Sequence, residues 1–340
     1  MKKYLNKSLF YQGDSNILLP LFIVYVATFI LINLTANEFF GYNIRRYMYN
    51  HARAGYIFSF QSFLTLIIYI GVIYAITVGI FKRKKWSTLL SGPFSRKDIR
   101  IRELIIIIMS IFIYIFMFLA IIGKNYIQYY DIIKYMDYFY RIVILDIIRI
   151  ISISIITLGV LLILDTIFAN LYYLFGSIIF LFIYILLFME NYSLILNCYV
   201  NGKTYGVGYI YNLLMEYLYR YNMEVEVSVL KVIYISIAFI VVGITLILIS
   251  KKLTNKILVE NMNEGIIFDF PKKLGSFLIA TFVGLAVSAF ISNIINDIYF
   301  RYSLERYNLV LLRTVIFFTV SIISVFIFRN LKKRKKDIYY

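Results

Sequence analysis

Uninterrupted apolar runs of about twenty residues constrain this chain more than any other feature of its sequence. A helix of about twenty apolar residues crosses the ~30 Å hydrocarbon core of a bilayer. Over the whole chain, 62% of residues are hydrophobic and 16% are charged, whereas a soluble domain is about half apolar and about a quarter charged. The sequence therefore predicts an all-α polytopic membrane protein.

The apolar runs predict about eight transmembrane helices, within a range of six to eight. The run from Ile150 to Phe188 is too long for one span, and its only charged residue is Asp165. We therefore predict a tight helical hairpin at Asp165–Asn170. The predicted spans are Ile17–Leu34, Ser62–Phe81, Leu104–Gly123, Ile142–Asp165, Leu171–Phe188, Val232–Ile249, Gly275–Ile295 and Asn308–Phe328.

Basic residues are unevenly divided between the two sides that these spans define. With both termini inside, the inner segments carry 22 Lys and Arg and the outer loops carry 10. Cytoplasmic loops of membrane proteins hold an excess of Lys and Arg, so both termini are predicted to be cytoplasmic. We expect one membrane domain over 1–340, with a large outer segment at 189–231 that contains a short surface helix, and a basic cytoplasmic tail at 329–340.

The segment 82–103, with the sequence "KRKKWSTLLSGPFSRKDIRIRE", is a basic stretch between the second and third spans. Gly92-Pro93 breaks any helix, and Ser95 with Asp98 has the spacing of a capping box. A new helix is therefore predicted to start at Ser95 and to continue into the third span. A simple loop obeying the positive-inside rule accounts for the charges but not for the length or the cap, so we interpret the segment as a structured elbow.

Residues of this elbow resemble the segment after the second span in permease subunits of type-2 ABC exporters. The opening "LNKSLFYQ" and the loop "KILVENMNEGIIFDFPKK" are similar to other segments of that family, although its core has six spans. The resemblance implies an interfacial helix at 1–16 and a location in the bacterial cell membrane. Trp86 is predicted to be an interface anchor. The elbow residues that carry the resemblance are Leu89, Leu90, Ser91, Pro93, Phe94, Ser95, Arg96, Lys97, Asp98 and Ile99.

The resemblance also implies a function and a set of partners. In that family the elbow is a coupling helix that seats in a cytoplasmic ATPase subunit. Trp86–Asp98 would then couple ATP hydrolysis on that subunit to export by alternating access, with ATP and Mg²⁺ held by the ATPase and none by this chain. A second permease copy or a paralogue would complete the transporter.

Sequence patterns for catalysis within this chain are weak, so we expect a transporter subunit and not an enzyme. Gly202-Lys203-Thr204 ends like a P-loop, but Asn197 stands where that motif requires glycine. The chain has one cysteine, Cys198, and one histidine, His51, which excludes an internal disulfide and a Cys/His metal cluster. The net charge of +17 is accounted for by loops that face anionic lipid, so no nucleic-acid partner is expected.

Charged and small residues within the spans suggest where helices meet. Asp146 and Arg149 are three residues apart on one helix face and can pair, and Arg313 enters its span at a similar depth. These three residues either line a translocation path as a polar cluster or lie at the interface, where Arg can snorkel; we favour the interface. A stripe of small residues, which predicts close helix packing, consists of Ala280, Gly284, Ser288 and Ser292.

Two other classes of function stay open at this point. A membrane enzyme acting on lipid-linked sugars or peptides would need a cluster of acidic, His or Arg side chains in a cavity. A non-catalytic sensor or scaffold would use the elbow to recruit some other cytoplasmic protein. An adjacent P-loop ATPase would distinguish the exporter from both, whereas the transported substrate cannot be inferred from these residues.

Overall fold

Within the part of the chain that the structure describes, eight helices are long and apolar enough to cross a membrane, which confirms the predicted fold class. We describe the protein from a computed structural model. The structure describes residues 18–50, 57–79, 96–135, 139–199, 217–218, 229–254, 265–299 and 306–338.

Nine α-helices of four residues or more lie within these ranges, and we number them in chain order. A π-helical turn, Ala75–Gly79, directly follows α2. The helices are α1 Leu18–Asn50, α2 Phe60–Tyr74, α3 Arg96–Gln128, α4 Tyr130–Ile133, α5 Phe139–Ile167, α6 Leu171–Tyr199, α7 Val229–Thr254, α8 Asp269–Tyr299 and α9 Arg306–Ile338.

The predicted break between the fourth and fifth spans is present. Helix α5 ends at Ile167 and α6 begins at Leu171, so the turn consists of the three residues 168–170. Asp165 lies in the last turn of α5, with a buried side chain, and not in the turn itself. The long apolar run is therefore two spans, as the sequence predicts.

Several helices continue beyond their apolar spans. Helix α3 begins at Arg96, directly after the predicted cap residue Ser95, and runs without a break through the third span. Helix α6 continues to Tyr199, into the segment expected to be an outer loop, and α9 continues through the basic tail to Ile338. Charged residues therefore end the apolar windows but do not end these helices.

The chain forms two compact units. The first unit comprises 1–171 and 213–263, and the second comprises 172–212 and 264–340. The first unit thus holds α1 to α5 and α7, and the second holds nearly all of α6 together with α8 and α9.

Helices α5 and α7 of the first unit cross at a pair of glycines. A Cβ on Gly159 would lie 2.7 Å from the backbone oxygen of Gly243, and a Cβ on Gly243 would lie 2.8 Å from the backbone of Ile155. Two turns beyond Gly243 on α7, the Ser250 hydroxyl donates to the Leu162 carbonyl of α5 at 3.0 Å. Small residues let the backbones approach closely, as is common between helices in membranes.

Helices α2 and α3 of the first unit are joined by two tyrosine hydroxyls. Tyr69 donates to the Ser110 carbonyl at 2.8 Å, and Tyr114 donates to the Ser62 carbonyl at 3.3 Å. The Tyr69 and Tyr114 rings also lie 5.2 Å apart. These buried hydrogen bonds fix α2 against α3.

In the second unit, the predicted stripe of small residues lies on a buried face of α8. Ala280, Ser288 and Ser292 are fully buried, and a Cβ on Gly284 would meet the Ser321 hydroxyl and the Phe317 carbonyl of α9. Gly284 therefore marks the close approach of α8 and α9.

Candidate functional site

An ion pair on α5 is fully buried in the first unit. The Arg149 Nη1 donates to Asp146 Oδ1 at 2.6 Å, and neither side chain is exposed. The two residues are three apart, so they lie on the same face of the helix, as the sequence predicts. Arg149 does not snorkel to an interface, because its guanidinium is enclosed by protein.

The second oxygen of Asp146 holds the connection between α1 and α2. The backbone N–H groups of Ile57 and Phe58 donate to Asp146 Oδ2 at 2.9 and 3.0 Å. Ser59 then caps α2, its hydroxyl accepting from the Ser62 N–H at 3.4 Å. A carboxylate that accepts backbone N–H groups is a strong, charge-assisted partner, so Asp146 fixes the position at which the chain enters α2.

Arg149 reaches two further segments of the chain. Its guanidinium donates to the carbonyl of Phe58 at 3.3 Å and to the carbonyl of Tyr217. The guanidinium carbon also lies 4.6 Å from the centre of the Phe63 ring and 5.2 Å from that of the Tyr217 ring. A cation enclosed by aromatic faces and carbonyl oxygens is compensated on several sides.

Tyr217 extends this network to α7. Its hydroxyl lies 2.9 Å from the hydroxyl of Ser152 on α5 and 2.9 Å from that of Ser236 on α7. Burial raises the pKa of Tyr217 above its usual value, so the phenol stays protonated near neutral pH and can donate. Sequence reasoning missed Tyr217, which it assigned to a helix on the membrane surface.

The Phe58 ring connects this network to an aromatic cluster between α2 and α3. Its centre lies 4.6 Å from that of Phe63, 6.3 Å from that of Tyr114 and 5.4 Å from that of Phe118, each in an edge-to-face arrangement. Such pairs add stability beyond the area that they bury. We call Asp146, Arg149, Tyr217 and the Ile57–Phe58 backbone the buried clamp. The clamp joins α5 to two distant chain segments, and its charges are paired internally.

Arg313, the third member of the predicted polar cluster, lies in the second unit. Its Nη2 donates to Glu190 Oε1 on α6 at 3.2 Å. The Arg313 side chain is 6% exposed and that of Glu190 is 51% exposed. The structure thus brings Asp146 and Arg149 together in the buried clamp, and gives Arg313 a different partner that the sequence did not suggest.

Most predicted coupling residues lie outside the described part of the chain, as do residues 1–16. Arg96, Lys97 and Asp98 form the first turn of α3. The Asp98 side chain is partly buried. The elbow residues outside the described part are Trp86, Leu89, Leu90, Ser91, Pro93, Phe94 and Ser95.

Among the residues that the structure describes, no three His, Cys, Asp or Glu side chains are grouped so that they could hold a metal ion. Comparisons with protein-family models, with curated proteins and with solved structures give no match for this chain.

Proposed function

We propose that the protein is the membrane-spanning permease subunit of an ATP-driven ABC exporter in the bacterial cell membrane. In this proposal a separate cytoplasmic ATPase binds ATP and Mg²⁺, and its closure drives substrate efflux by alternating access. A second permease copy or a paralogue completes the assembly.

The observation that supports this proposal best is the unbroken course of α3. The helix begins at Arg96, at the end of the basic elbow, and the third span begins at Ile101. Five residues of helix, about 8 Å at 1.5 Å per residue, thus precede the span. A rigid extension of this kind transmits a displacement of the elbow into the membrane, whereas a flexible loop would absorb it.

Contacts of α3 with α2 give this displacement a route within the first unit. Tyr114 on α3 bonds to the Ser62 carbonyl, and Tyr114 and Phe118 pack against the Phe58 ring. The backbone of Phe58 is in turn bonded to Asp146 and Arg149. In our proposal, movement of the elbow therefore reaches the buried clamp through the aromatic cluster.

The decisive experiment is reconstitution of the full chain with the P-loop ATPase that copurifies with it. In lipid nanodiscs we expect vanadate-sensitive ATP hydrolysis that the permease stimulates. Charge-preserving scrambling of Trp86–Asp98 should abolish the stimulation, while a matched scramble of the basic residues in 329–338 should not. If no P-loop ATPase binds, or if the elbow scramble stimulates normally, the exporter function is wrong.

A further inference from the structure

The ion pair of Arg313 and Glu190 in the second unit differs from the buried clamp in how its cation is compensated. Arg149 has three acceptors, on Asp146, Phe58 and Tyr217. For Arg313, the described part of the chain supplies one hydrogen-bond acceptor, the Glu190 carboxylate. A guanidinium has five N–H donors, and leaving them unpaired in an apolar setting is costly.

Glu190 lies near the C-terminal end of its span and Arg313 lies near the N-terminal end of its span. Glu190 is the last but one residue of the span Tyr172–Asn191, and Arg313 is the sixth residue of the span Asn308–Phe328. Arg313 is therefore about 8 Å from the edge of its span at 1.5 Å per residue. Its side chain leans toward the start of α9, so the guanidinium comes close to the depth at which lipid phosphates lie.

The exposures of the two side chains restrict the ligand further. The carboxylate of Glu190 is half exposed while Arg313 is almost enclosed. A purely anionic ligand on Arg313 would lie beside the Glu190 carboxylate, and like charges repel. A ligand that carries a phosphodiester and, two carbons away, a primary ammonium offers acceptors to Arg313 and donors to Glu190.

We propose that Arg313 and Glu190 bind the headgroup of a membrane lipid that carries a phosphodiester and a primary ammonium. The phosphodiester oxygens accept from the guanidinium, and the ammonium donates to the carboxylate. A trimethylated ammonium has no N–H to donate, so the site discriminates against it. This proposal does not depend on the exporter function.

The test measures lipid retained by the delipidated full chain in native mass spectrometry. The probes are palmitoyl-oleoyl phosphatidylethanolamine, phosphatidylcholine and phosphatidylglycerol. Because hydrogen bonds between charged groups are strong, we expect phosphatidylethanolamine to bind about tenfold more tightly than either other lipid. Equal retention of the three lipids would overturn the proposal.

Two variants assign the preference to the two side chains. Arg313→Gln should weaken phosphatidylethanolamine binding about tenfold or more, whereas Glu190→Gln should remove the preference over phosphatidylcholine. Lys231→Gln, which alters an exposed basic residue near the start of another span, is the matched control and should leave binding unchanged. Wild-type binding by Glu190→Gln, which tests the site even if Arg313→Gln fails to fold, would contradict the proposal.

Water-soluble glycerophosphoethanolamine has the same headgroup chemistry without acyl chains. At a concentration equal to that of the lipid, it should not displace the bound phosphatidylethanolamine, because the site lies at the depth of the membrane. Equal competition by the soluble compound would overturn the assignment to a membrane lipid.

Discussion

The Asp146 carboxylate and the Arg149 guanidinium lie 2.6 Å apart on α5, and both side chains are fully buried. Each charge also bonds to backbone that is about ninety residues away in sequence, at Ile57 and Phe58. The pair therefore does more than neutralise itself: it determines where the chain enters α2.

Removing one partner of this pair should destabilise the protein strongly. Arg149→Met leaves the Asp146 charge buried without its cation, which typically costs about 3–5 kcal/mol. We expect a large drop in the temperature at which the detergent-solubilised protein loses its monodisperse gel-filtration peak. Arg141→Met, at an exposed position of the same helix, is the control and should behave like wild type.

A double variant shows whether the two charges act together. Asp146→Asn combined with Arg149→Met removes both charges, so its loss of stability should be smaller than the sum of the single losses. Simple additivity would mean that the two side chains contribute independently.

Tyr217 should make the stability of the protein sensitive to alkaline pH. Burial raises the pKa of Tyr217 above its usual value of 10.0, so the folded state holds the phenolic proton more tightly than the unfolded chain. Its contribution is therefore complete below about pH 10 and is lost as the pH rises further. Between pH 9 and 11, unfolding measurements should show a smaller loss of stability for Tyr217→Phe than for wild type.

A second tyrosine on α7 supplies the control for this experiment. Tyr234 is 69% exposed, and Tyr234→Phe should leave the alkaline loss of stability unchanged. At pH 8, Tyr217→Phe should itself cost about 1–3 kcal/mol, because the Ser152 and Ser236 hydroxyls lose a buried partner. A pH dependence identical to wild type in Tyr217→Phe would show that its proton is not linked to folding.

Gly284 should tolerate no large side chain. Because a Cβ there already meets the Ser321 hydroxyl and the Phe317 carbonyl, Gly284→Leu should force α8 and α9 apart. We expect lower yield of folded protein, measured by fluorescence-detected gel filtration, with membrane insertion preserved. Gly275→Leu is the control on the same helix, since a Cβ at Gly275 has no neighbour within 4 Å. Equal yields of the two variants would contradict the close packing.

The orientation of the chain rests on its basic residues and can be tested directly. Single cysteines at Ser95, Lys203 and Glu264, in a Cys198→Ser background, should distinguish the two sides. An impermeant maleimide should label intact cells only at position 203 if both termini are cytoplasmic. Labelling at position 95 would reverse the orientation.

The number of spans could be predicted because each requires about twenty apolar residues, a condition that the chain meets eight times. The ends of the helices were less predictable. The cap at Ser95 predicted the start of α3 at Arg96, whereas α6 continues to Tyr199, well beyond its predicted span. Hydropathy marks where a helix leaves the lipid, but hydrogen bonds within the backbone continue the helix into charged sequence.

The candidate site was only half predictable for a related reason. Asp146 and Arg149 are neighbours on one helix face, so spacing alone suggested their pairing. The contacts with Phe58 and Tyr217 join residues 91 and 68 positions from Arg149. No local pattern encodes such distant contacts, and one tyrosine among 33 gave no signal of its own.

The elbow provides the sharpest test of the proposed function. If its role is only to anchor topology, its charges matter and its shape does not. Helix α3 begins directly after Ser95, with Asp98 in its first turn, and loss of a helix cap typically costs ~1 kcal/mol. That is too little to unfold an eight-helix protein but enough to loosen the start of α3.

We therefore expect the double variant Ser95→Ala/Asp98→Ala, and separately Phe94→Asp, to insert and express like wild type. Copurification of the ATPase, or its stimulation in nanodiscs, should fall severalfold in both variants. Ser276→Ala removes an exposed hydroxyl that bonds to the Lys273 carbonyl in α8, so it controls for the loss of a hydroxyl elsewhere and should stimulate normally. Normal ATPase stimulation by both elbow variants would mean that the segment is only a basic loop, and the exporter proposal would lose its main support.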